Sequence, residues 1–465
     1  MIKKIAVVIV LLILLSGLIL SAYIMSQDQS IKESSAAPVS TDKISNINTK
    51  YATVFFYWHW CGDANATRDA WRKSVCKEQE KSLTYKLPGF VQNDPQVGAY
   101  GERNYSWVKS QLKDMESARL DYVLLDTWKL GNKSKLNSTE PPTLYGITPN
   151  IKKAITEKQT KLKFGLLIES GGIKEEYVKR KGLSASAANS PLTIKSDAEA
   201  DLLAAITNEM INYFFTEIPK ANWATDKNNR PYVLFFDYQN NFLTESSKSQ
   251  YLARFLWRIN TNFKSKFKRD VANVVIWEWL YNNINYSTIY NSHMTKQVNA
   301  LYGTKYNNTI LGNITGSFSW STYGNPQGLS VKNLTIGNIS PGFNKCNWLK
   351  QHDPAQSNNC DKLTDINKIF PRSEGKFLES NFLGLNSKVK IPYDLVILES
   401  WGEGYEGTTL QRTISYPKYD AKTSQDLYSK CNSYTNNSNT TCLPGDFYIK
   451  KVNQILSTYG RYSKK

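Results

Sequence analysis

The sequence predicts an α/β fold: a single (β/α)8 TIM barrel with loop insertions, preceded by an N-terminal membrane anchor or signal segment. Three observations lead to this prediction. From Tyr51 onward, short β-rich runs alternate with longer helical patterns, several of the runs are almost wholly apolar, and eight such runs precede the C-terminus. Apolar runs are typical of parallel strands buried on both faces. Strand–helix alternation with eight strands indicates a parallel barrel.

Each predicted strand is rich in β-branched, aromatic or leucine residues. The eight segments are Thr53–Trp58, Tyr122–Asp126, Lys163–Ile168, Tyr232–Asp237, Asn273–Trp277, Thr309–Phe318, Leu334–Ile339 and Asp394–Leu398. Between them, apolar residues at helical spacing predict four helices, one of which has Asp197 as its N-cap. These helices are Ser106–Ala118, Asp197–Phe215, Ser247–Asn262 and Gly445–Ser457.

The N-terminal 25 residues have the composition of a targeting segment. Lys3 and Lys4 precede Ile5–Met25, a stretch of 21 residues without a charge. The apolar region of a cleavable signal is usually ~7–15 residues long, whereas a spanning helix needs ~20. The length therefore favours an uncleaved anchor over residues 1–25, with the lysines on the cytoplasmic side. A cleaved signal peptide is the alternative.

Residues 26–50 are polar and are predicted to form a linker to the barrel domain at residues 51–465. Either form of the N-terminal segment predicts that this domain lies outside the cytoplasm, at the cell surface or secreted. The six cysteines agree with an oxidising compartment. They form three local couples, and pairing between neighbours would staple three long loops, although six cysteines allow 15 pairings. The couples are Cys61/Cys76, Cys346/Cys360 and Cys431/Cys442.

The sequence also limits the classes of partner. The formal net charge is +18, but the lysines are spread along the chain and no nucleic-acid-binding signature occurs, so we expect no nucleic-acid partner. No C-x-x-C occurs and the three histidines are far apart, which disfavours a zinc site. We expect no cofactor and a monomer. Eleven N-x-S/T sequons are compatible with surface glycosylation. They are Asn65, Asn104, Asn132, Asn137, Asn285, Asn307, Asn313, Asn333, Asn338, Asn436 and Asn439.

Acids and large aromatic residues recur where the predicted strands end. In a parallel barrel the active site forms at this carboxyl edge. Carboxylates for proton transfer, beside flat rings that stack on sugar rings, are the composition of a carbohydrate site. The candidate binding residues are Trp58 and Trp60 after the first strand, Asp126 and Trp128 after the second, Glu169 after the third, Asp237 and Tyr238 after the fourth, Glu278 after the fifth, and Trp401 and Tyr405 after the last.

The last strand is followed by a glycine-rich stretch, Glu399–Thr408, with the pattern G-x-G-x-x-G. A dinucleotide site needs a helix directly after the glycines. The chain continues instead as TLQRTISYP, which is β-branched and ends at a proline, so we reject a dinucleotide site. Glu403 and Glu406 then remain as two carboxylates on a glycine-loosened loop. A turn whose glutamates face water is the competing interpretation.

The stretch Glu399–Thr408 (ESWGEGYEGT) resembles the T-S-F-N-E-W-H-E-G-T loop of glycoside hydrolase family 99, the endo-α-mannosidase-like barrels. Ser400, Glu403, Glu406 and the following Gly-Thr match without gaps. Shorter segments resemble the family in the same order: Val54–Trp60, Met115–Trp128, Leu166–Glu169, Arg230–Tyr238 and Ser340–Phe343. Gly402, Gly404 and Tyr405 depart from the family pattern.

The resemblance implies a retaining, endo-acting glycoside hydrolase on an α-linked mannan-like or other surface glycan. Glu403 would assist the sugar's own 2-hydroxyl in attacking the anomeric carbon, and Glu406 would be the acid/base. Glu169 would hold substrate hydroxyls. A conventional pair formed by Glu278 or Glu169 with a loop glutamate is a second mechanism. A catalytically inactive carbohydrate-binding or structural surface protein on the same barrel is the alternative function.

Overall fold

The computed structural model describes the segments of the chain that carry the sheet and most of its helices. All of them lie in the unit Asn46–Lys465. The described residues are 49–57, 104–131, 143–242, 249–276, 315–318, 327–331, 334–344, 369–370, 373–388, 393–401, 410, 415–417, 419–420, 425–426, 442–444 and 446–459.

A nine-stranded sheet forms the centre of the fold, in the order β6-β5-β4-β3-β2-β1-β11-β8-β7. The outermost strand, β7, runs antiparallel to β8. The other eight strands run parallel to one another. The nine strands are β1 (Lys50–Phe55), β2 (Tyr122–Thr127), β3 (Lys163–Glu169), β4 (Tyr232–Phe236), β5 (Ala272–Ile276), β6 (Gly316–Phe318), β7 (Gln327–Val331), β8 (Leu334–Ile339) and β11 (Leu395–Trp401).

The predicted α/β class with a parallel sheet is confirmed, and each predicted strand overlaps one of the eight parallel strands. The last strand is longer than predicted, because it continues through Glu399, Ser400 and Trp401. Of the predicted sixth strand, Gly316–Phe318 is a strand and residues 309–314 lie outside the described residues. The antiparallel strand β7 was not predicted.

The two outer parallel strands of the sheet, β6 and β8, approach each other. A Cβ atom added at Gly316 of β6 would lie 2.8 Å from Leu334 Cδ2 and 2.9 Å from Ile336 Cδ1, both on β8. The side chains of β8 therefore pack directly against the backbone of Gly316. The sheet curls so that its ends meet, in the strand order of a (β/α)8 barrel.

Eight α-helices are described, and the predicted helices match four of them. The first is capped by Asn104, whose Oδ1 accepts hydrogen bonds from the Ser106 and Trp107 N–H groups. The N-cap of α4 is Ser196 and not the predicted Asp197, which instead forms an ion pair with Arg254 at 2.8 Å. The helices are α1 (Tyr105–Ser117), α2 (Leu144–Thr156), α3 (Ser170–Arg180), α4 (Asp197–Glu217), α5 (Tyr238–Phe242), α6 (Ser249–Phe267), α7 (Lys376–Lys388) and α8 (Phe447–Thr458).

Alternate residues of each strand face the helices, and the others face the inside of the curled sheet. Phe55 packs on Trp107 of α1 at 5.6 Å between ring centroids, and Phe235 packs on Phe255 of α6 at 5.5 Å. Leu234, the neighbour of Phe235, therefore lies on the inner face. Leu167 of β3 is paired with Leu234 and lies on the same face.

Three two-stranded sheets lie outside the central sheet. They are formed by β9 (Phe343–Asn344) with β10 (Ile369–Phe370), β12 (Ser415–Pro417) with β15 (Cys442–Pro444), and β13 (Tyr419–Asp420) with β14 (Gln425–Asp426). Within the described ranges, no helix is both long enough and apolar enough to cross a bilayer.

Candidate active site

Two of the predicted acids lie on the inner face of the sheet, at its carboxyl edge. Asp126 of β2 is paired with Leu167, and Glu169 ends β3 opposite Phe236 of β4. Asp126 is fully buried and Glu169 is half-buried. The inner face is apolar below them, with Leu124 and Leu167 next along the two strands. The parallel strands therefore bring both carboxylates to one end of the barrel, as the sequence predicted.

Trp128 is held at the same edge by a pair of glycines. The helix α3 begins directly after Glu169, and Gly171 and Gly172 lie in its first turn. A Cβ atom at Gly171 would lie 2.7 Å from Trp128 Cη2, and one at Gly172 would lie 1.9 Å from the Trp128 carbonyl oxygen. The indole thus packs directly on the helix backbone and stays half-buried. This places a flat ring beside the two acids.

Asp237 follows β4 in the left-handed region of backbone conformation, with φ 59°. Asn241 Nδ2 donates hydrogen bonds to Asp237 Oδ2 at 2.9 Å and to Ser170 Oγ at 2.7 Å. The end of β4 is therefore tied to the start of α3. Lys174, one turn further along α3, is largely buried. Burial lowers the pKa of Lys174, while the nearby charges of Asp237 and Glu175 oppose that shift.

A second fully buried acid at this edge, Glu399, was not among the predicted site residues. Glu399 lies on β11 and its Oε1 accepts a hydrogen bond from Asn338 Nδ2 on the neighbouring strand β8; both side chains are buried. The apolar pattern predicted a last strand that ends at Leu398, which left Glu399 in the following loop. An acid directly after the apolar run Asp394–Leu398 was the available signal, since the other strand-end acids were found in that way.

The sequence segment that contains Glu403 and Glu406 follows β11, which ends at Trp401. Both glutamates lie outside the described residues, but the residues at either side of the loop are described. The Leu410 N–H donates a hydrogen bond to the Ser400 carbonyl at 2.9 Å, and Leu410 is fully buried. The loop is therefore closed at its base, at the carboxyl end of β11.

Two predicted sugar-binding rings are instead part of the protein interior. Trp401 is fully buried, and its Nε1–H donates to Gln111 Oε1 of α1 at 2.9 Å. Tyr238 is also fully buried and packs between Phe235 and Phe255, at 5.6 and 5.3 Å between ring centroids. Neither ring offers a face to a ligand, which corrects their assignment as binding residues. Both side chains point toward the helical layer and not into the barrel.

Several other predicted residues lie outside the described residues. They are Trp58, Trp60, Glu278 and Tyr405, with Cys61, Cys76, Cys346, Cys360 and Cys431; Cys442 is described as part of β15. Among the sequons, Asn338 is buried and bonded to Glu399, which excludes it as a glycosylation site in the folded protein. Within the described ranges, no group of three or more His, Cys, Asp or Glu side chains could hold a metal ion.

The described part of the edge thus combines carboxylates with one indole. Asp126, Glu169 and Asp237 end three adjacent strands, and Trp128 packs beside them. Carboxylates at such an edge can accept hydrogen bonds from hydroxyl groups or transfer protons, and an indole can cover an apolar ring face. This chemistry suits a polyhydroxylated ligand.

Comparison with known proteins identifies the family. The family model described as "Domain of unknown function (DUF5010)" matches residues 61–427, well over half of the chain. The chain belongs to this family. No curated protein matches it.

Some solved structures have a similar chain path. Two structures of the GH99 endo-α-mannosidase from Bacteroides thetaiotaomicron match with TM-scores of 0.47 and 0.46 at 10% and 11% identity; each match covers 89% of this chain, and 97% and 98% of the respective mannosidase chains. A β-glucosidase from Thermotoga maritima matches with a TM-score of 0.38 at 11% identity, over 89% of this chain and 98% of the glucosidase. At these scores we base no argument about the reaction on the likeness.

Proposed function

We propose that this DUF5010 protein is a glycoside hydrolase whose active site is the carboxyl edge of the sheet. The observation that supports the proposal is that β11 ends at Trp401, at the same edge as Asp126 and Glu169, directly before the segment of the sequence that contains Glu403 and Glu406. The sequence of this loop resembles the catalytic loop of glycoside hydrolase family 99, which supports the same assignment.

In the proposed reaction the substrate supplies its own nucleophile. Glu403 accepts the proton of the sugar 2-hydroxyl while that oxygen bonds to the anomeric carbon. Glu406 donates a proton to the glycosidic oxygen as the bond to the leaving group breaks. Water then attacks the anomeric carbon and opens the anhydro-sugar, while Glu406 accepts a proton from that water. Glu403 returns its proton to the 2-hydroxyl oxygen. Two inversions retain the configuration.

The residues around this pair would bind the sugar. Glu169 and Asp126 would accept hydrogen bonds from hydroxyl groups, and Trp128 would stack on one face of the ring. The proposed substrate is an α-linked, mannan-like or other surface glycan. The proposed location is outside the cytoplasm, with the barrel tethered through residues 1–25 or released if that segment is cleaved.

The test is a reducing-end assay of the full-length protein on α-mannans, α-glucans and other surface glycans. Wild type is compared with Glu403→Gln, Glu406→Gln and the control Glu217→Gln, whose carboxylate forms an ion pair with Lys152 on the helical layer. General acid–base groups typically contribute about 10²–10⁴-fold, so each loop variant should lose activity on that scale while the control keeps it. Turnover that survives loss of Glu403 would favour a conventional pair with Glu278 or Glu169. Glycan binding without turnover by the wild type would favour the carbohydrate-binding alternative.

A further inference from the structure

A cleft opens at the amino edge of the sheet, at the opposite end of the strands from the proposed active site. It lies where β1, β2 and β3 begin and has a volume of ≈ 520 Å³. Its walls carry four cationic side chains, Lys50, Arg119, Lys161 and Lys163, and two acids, Glu116 and Asp121. Four positive and two negative charges leave the cleft with a formal charge of +2.

Both acids of the cleft already accept hydrogen bonds from neighbouring groups. Glu116 Oε1 accepts from Thr160 Oγ1 at 2.7 Å and from the Lys161 N–H. Asp121 Oδ2 accepts from the Tyr51 N–H at 2.9 Å. These bonds fix the turns before β2 and β3. They also direct the carboxylate oxygens toward the backbone.

The three lysines of the cleft differ from several lysines of the helical layer that form ion pairs. Among the described residues, none of Lys50, Lys161 and Lys163 has a carboxylate within ion-pair distance. By contrast, Lys152 pairs with Glu217 at 2.9 Å, and Lys181 pairs with Glu199 at 3.0 Å. Uncompensated charges of one sign in a cleft raise the local concentration of counter-ions.

We propose that this amino-edge cleft binds a phosphate-bearing ligand. Lysine ammonium groups bind phosphate as point charges. A site with several lysines suits a doubly charged phosphate group better than it suits a singly charged carboxylate group. Leu120 and Leu162 also line the cleft. The ligand is either a free phosphate compound or the headgroup of an anionic phospholipid.

The position of the cleft bears on the choice between these sources. β1 begins at Lys50, a residue of the cleft, so the chain enters the central sheet at the cleft. If residues 1–25 are a membrane anchor, the linker keeps the cleft within reach of lipid headgroups. A weak site would then be occupied, because tethering raises the effective ligand concentration.

The test is lysine acetylation of the full-length protein, followed by mass spectrometry at each lysine. Free phosphate is tested with inorganic pyrophosphate added to protein in neutral detergent micelles. Lipid is tested by comparing nanodiscs of phosphatidylcholine with nanodiscs that also contain phosphatidylglycerol. Lys195, exposed near the start of α4, is the internal reference. We expect several-fold slower labelling of Lys50, Lys161 and Lys163, with Lys195 unchanged.

Variants separate a site from general attraction to a basic protein. The double variant Lys50→Gln, Lys163→Gln should abolish the protection of Lys161 from acetylation. The variant Lys163→Arg keeps the charge and should retain this protection. The control variant Lys195→Gln should have no effect on it. Protection by pyrophosphate indicates a free phosphate compound, and protection confined to anionic nanodiscs indicates a lipid headgroup. The proposal would be overturned if Lys195→Gln reduced the protection of Lys161 as much as the double variant does, or if neither pyrophosphate nor anionic nanodiscs protected the cleft lysines.

Discussion

The carboxyl edge of the central sheet carries buried acids and indoles held in place by side chains behind them, whereas the amino edge carries lysines that reach outward. Trp401 is bonded to Gln111, Glu399 to Asn338, and Asp237 to Asn241. At the amino edge, Lys50 and Lys163 extend from strand starts without an ion pair among the described residues. We infer that residues around the proposed active site at the carboxyl edge also stabilise the fold. The lysines of the amino-edge cleft, by contrast, can be replaced with little effect on stability.

The largest expected effect is that of Trp401→Ala at the carboxyl edge. Removing a fully buried indole leaves a cavity and should lower the free energy of unfolding by about 3–5 kcal/mol. Chemical denaturation measures this loss. The matched control is Trp257→Ala on α6, whose side chain is 41% exposed and should change stability little. Equal small losses in both variants would show that Trp401 is not fixed as described and would reopen a role in sugar stacking.

A smaller effect is expected for Asn338→Leu, also at the carboxyl edge. The substitution keeps a side chain that branches at Cγ but removes the amide that donates to the buried Glu399 carboxyl group. Leaving a buried acceptor without its hydrogen-bond donor costs about 1–3 kcal/mol, and we expect a loss of about 2 kcal/mol. Asn228→Leu, at an exposed turn, is the control for the change of residue type. An unchanged denaturation midpoint for Asn338→Leu would show that the Asn338–Glu399 hydrogen bond does not stabilise the fold, which would contradict the inferred coupling at the carboxyl edge.

The same contrast explains what the sequence could predict. The acids Asp126 and Glu169 were found because parallel strands are apolar up to the residue where the site begins. Trp401 and Tyr238 fit the same pattern but belong to the core, because a strand end alone does not tell which face a side chain takes. Their burial depends on Gln111 and Phe255, which reach them only through tertiary packing.

Other features were invisible to local patterns for similar reasons. The Asn338–Glu399 bond joins residues 61 apart in the chain, and the packing of Trp128 on the glycine pair joins the end of β2 to the first turn of α3. The amino-edge cleft gathers residues from β1, from the end of α1 and from the turn before β3. In the sequence these lysines are dispersed, and they appeared as part of a uniformly basic surface. Only the strand order brings them together.

The smallest expected effect concerns Lys174 at the carboxyl edge. This lysine is buried, whereas the lysines of the amino-edge cleft are not. Burial lowers its pKa below the ordinary value of 10.5. At a pH below the folded-state pKa the lysine is charged in both states, and its desolvation cost is fully present. As the pH rises toward 10.5 and beyond, that cost disappears because the folded lysine loses its proton first. Lys174→Met should therefore be more stable than wild type at low and neutral pH.

The gain should be less than about 1 kcal/mol, because attraction to Asp237 and Glu175 offsets part of the cost. It should narrow toward zero as the pH passes 10.5. Denaturation of wild type and Lys174→Met across this range measures it, with Lys179→Met on the exposed face of α3 as the control. A variant that is less stable than wild type at neutral pH would mean that the Asp237 attraction exceeds the burial cost. The charged ammonium group of Lys174 would then stabilise the fold through its attraction to Asp237, and its burial would not lower stability overall.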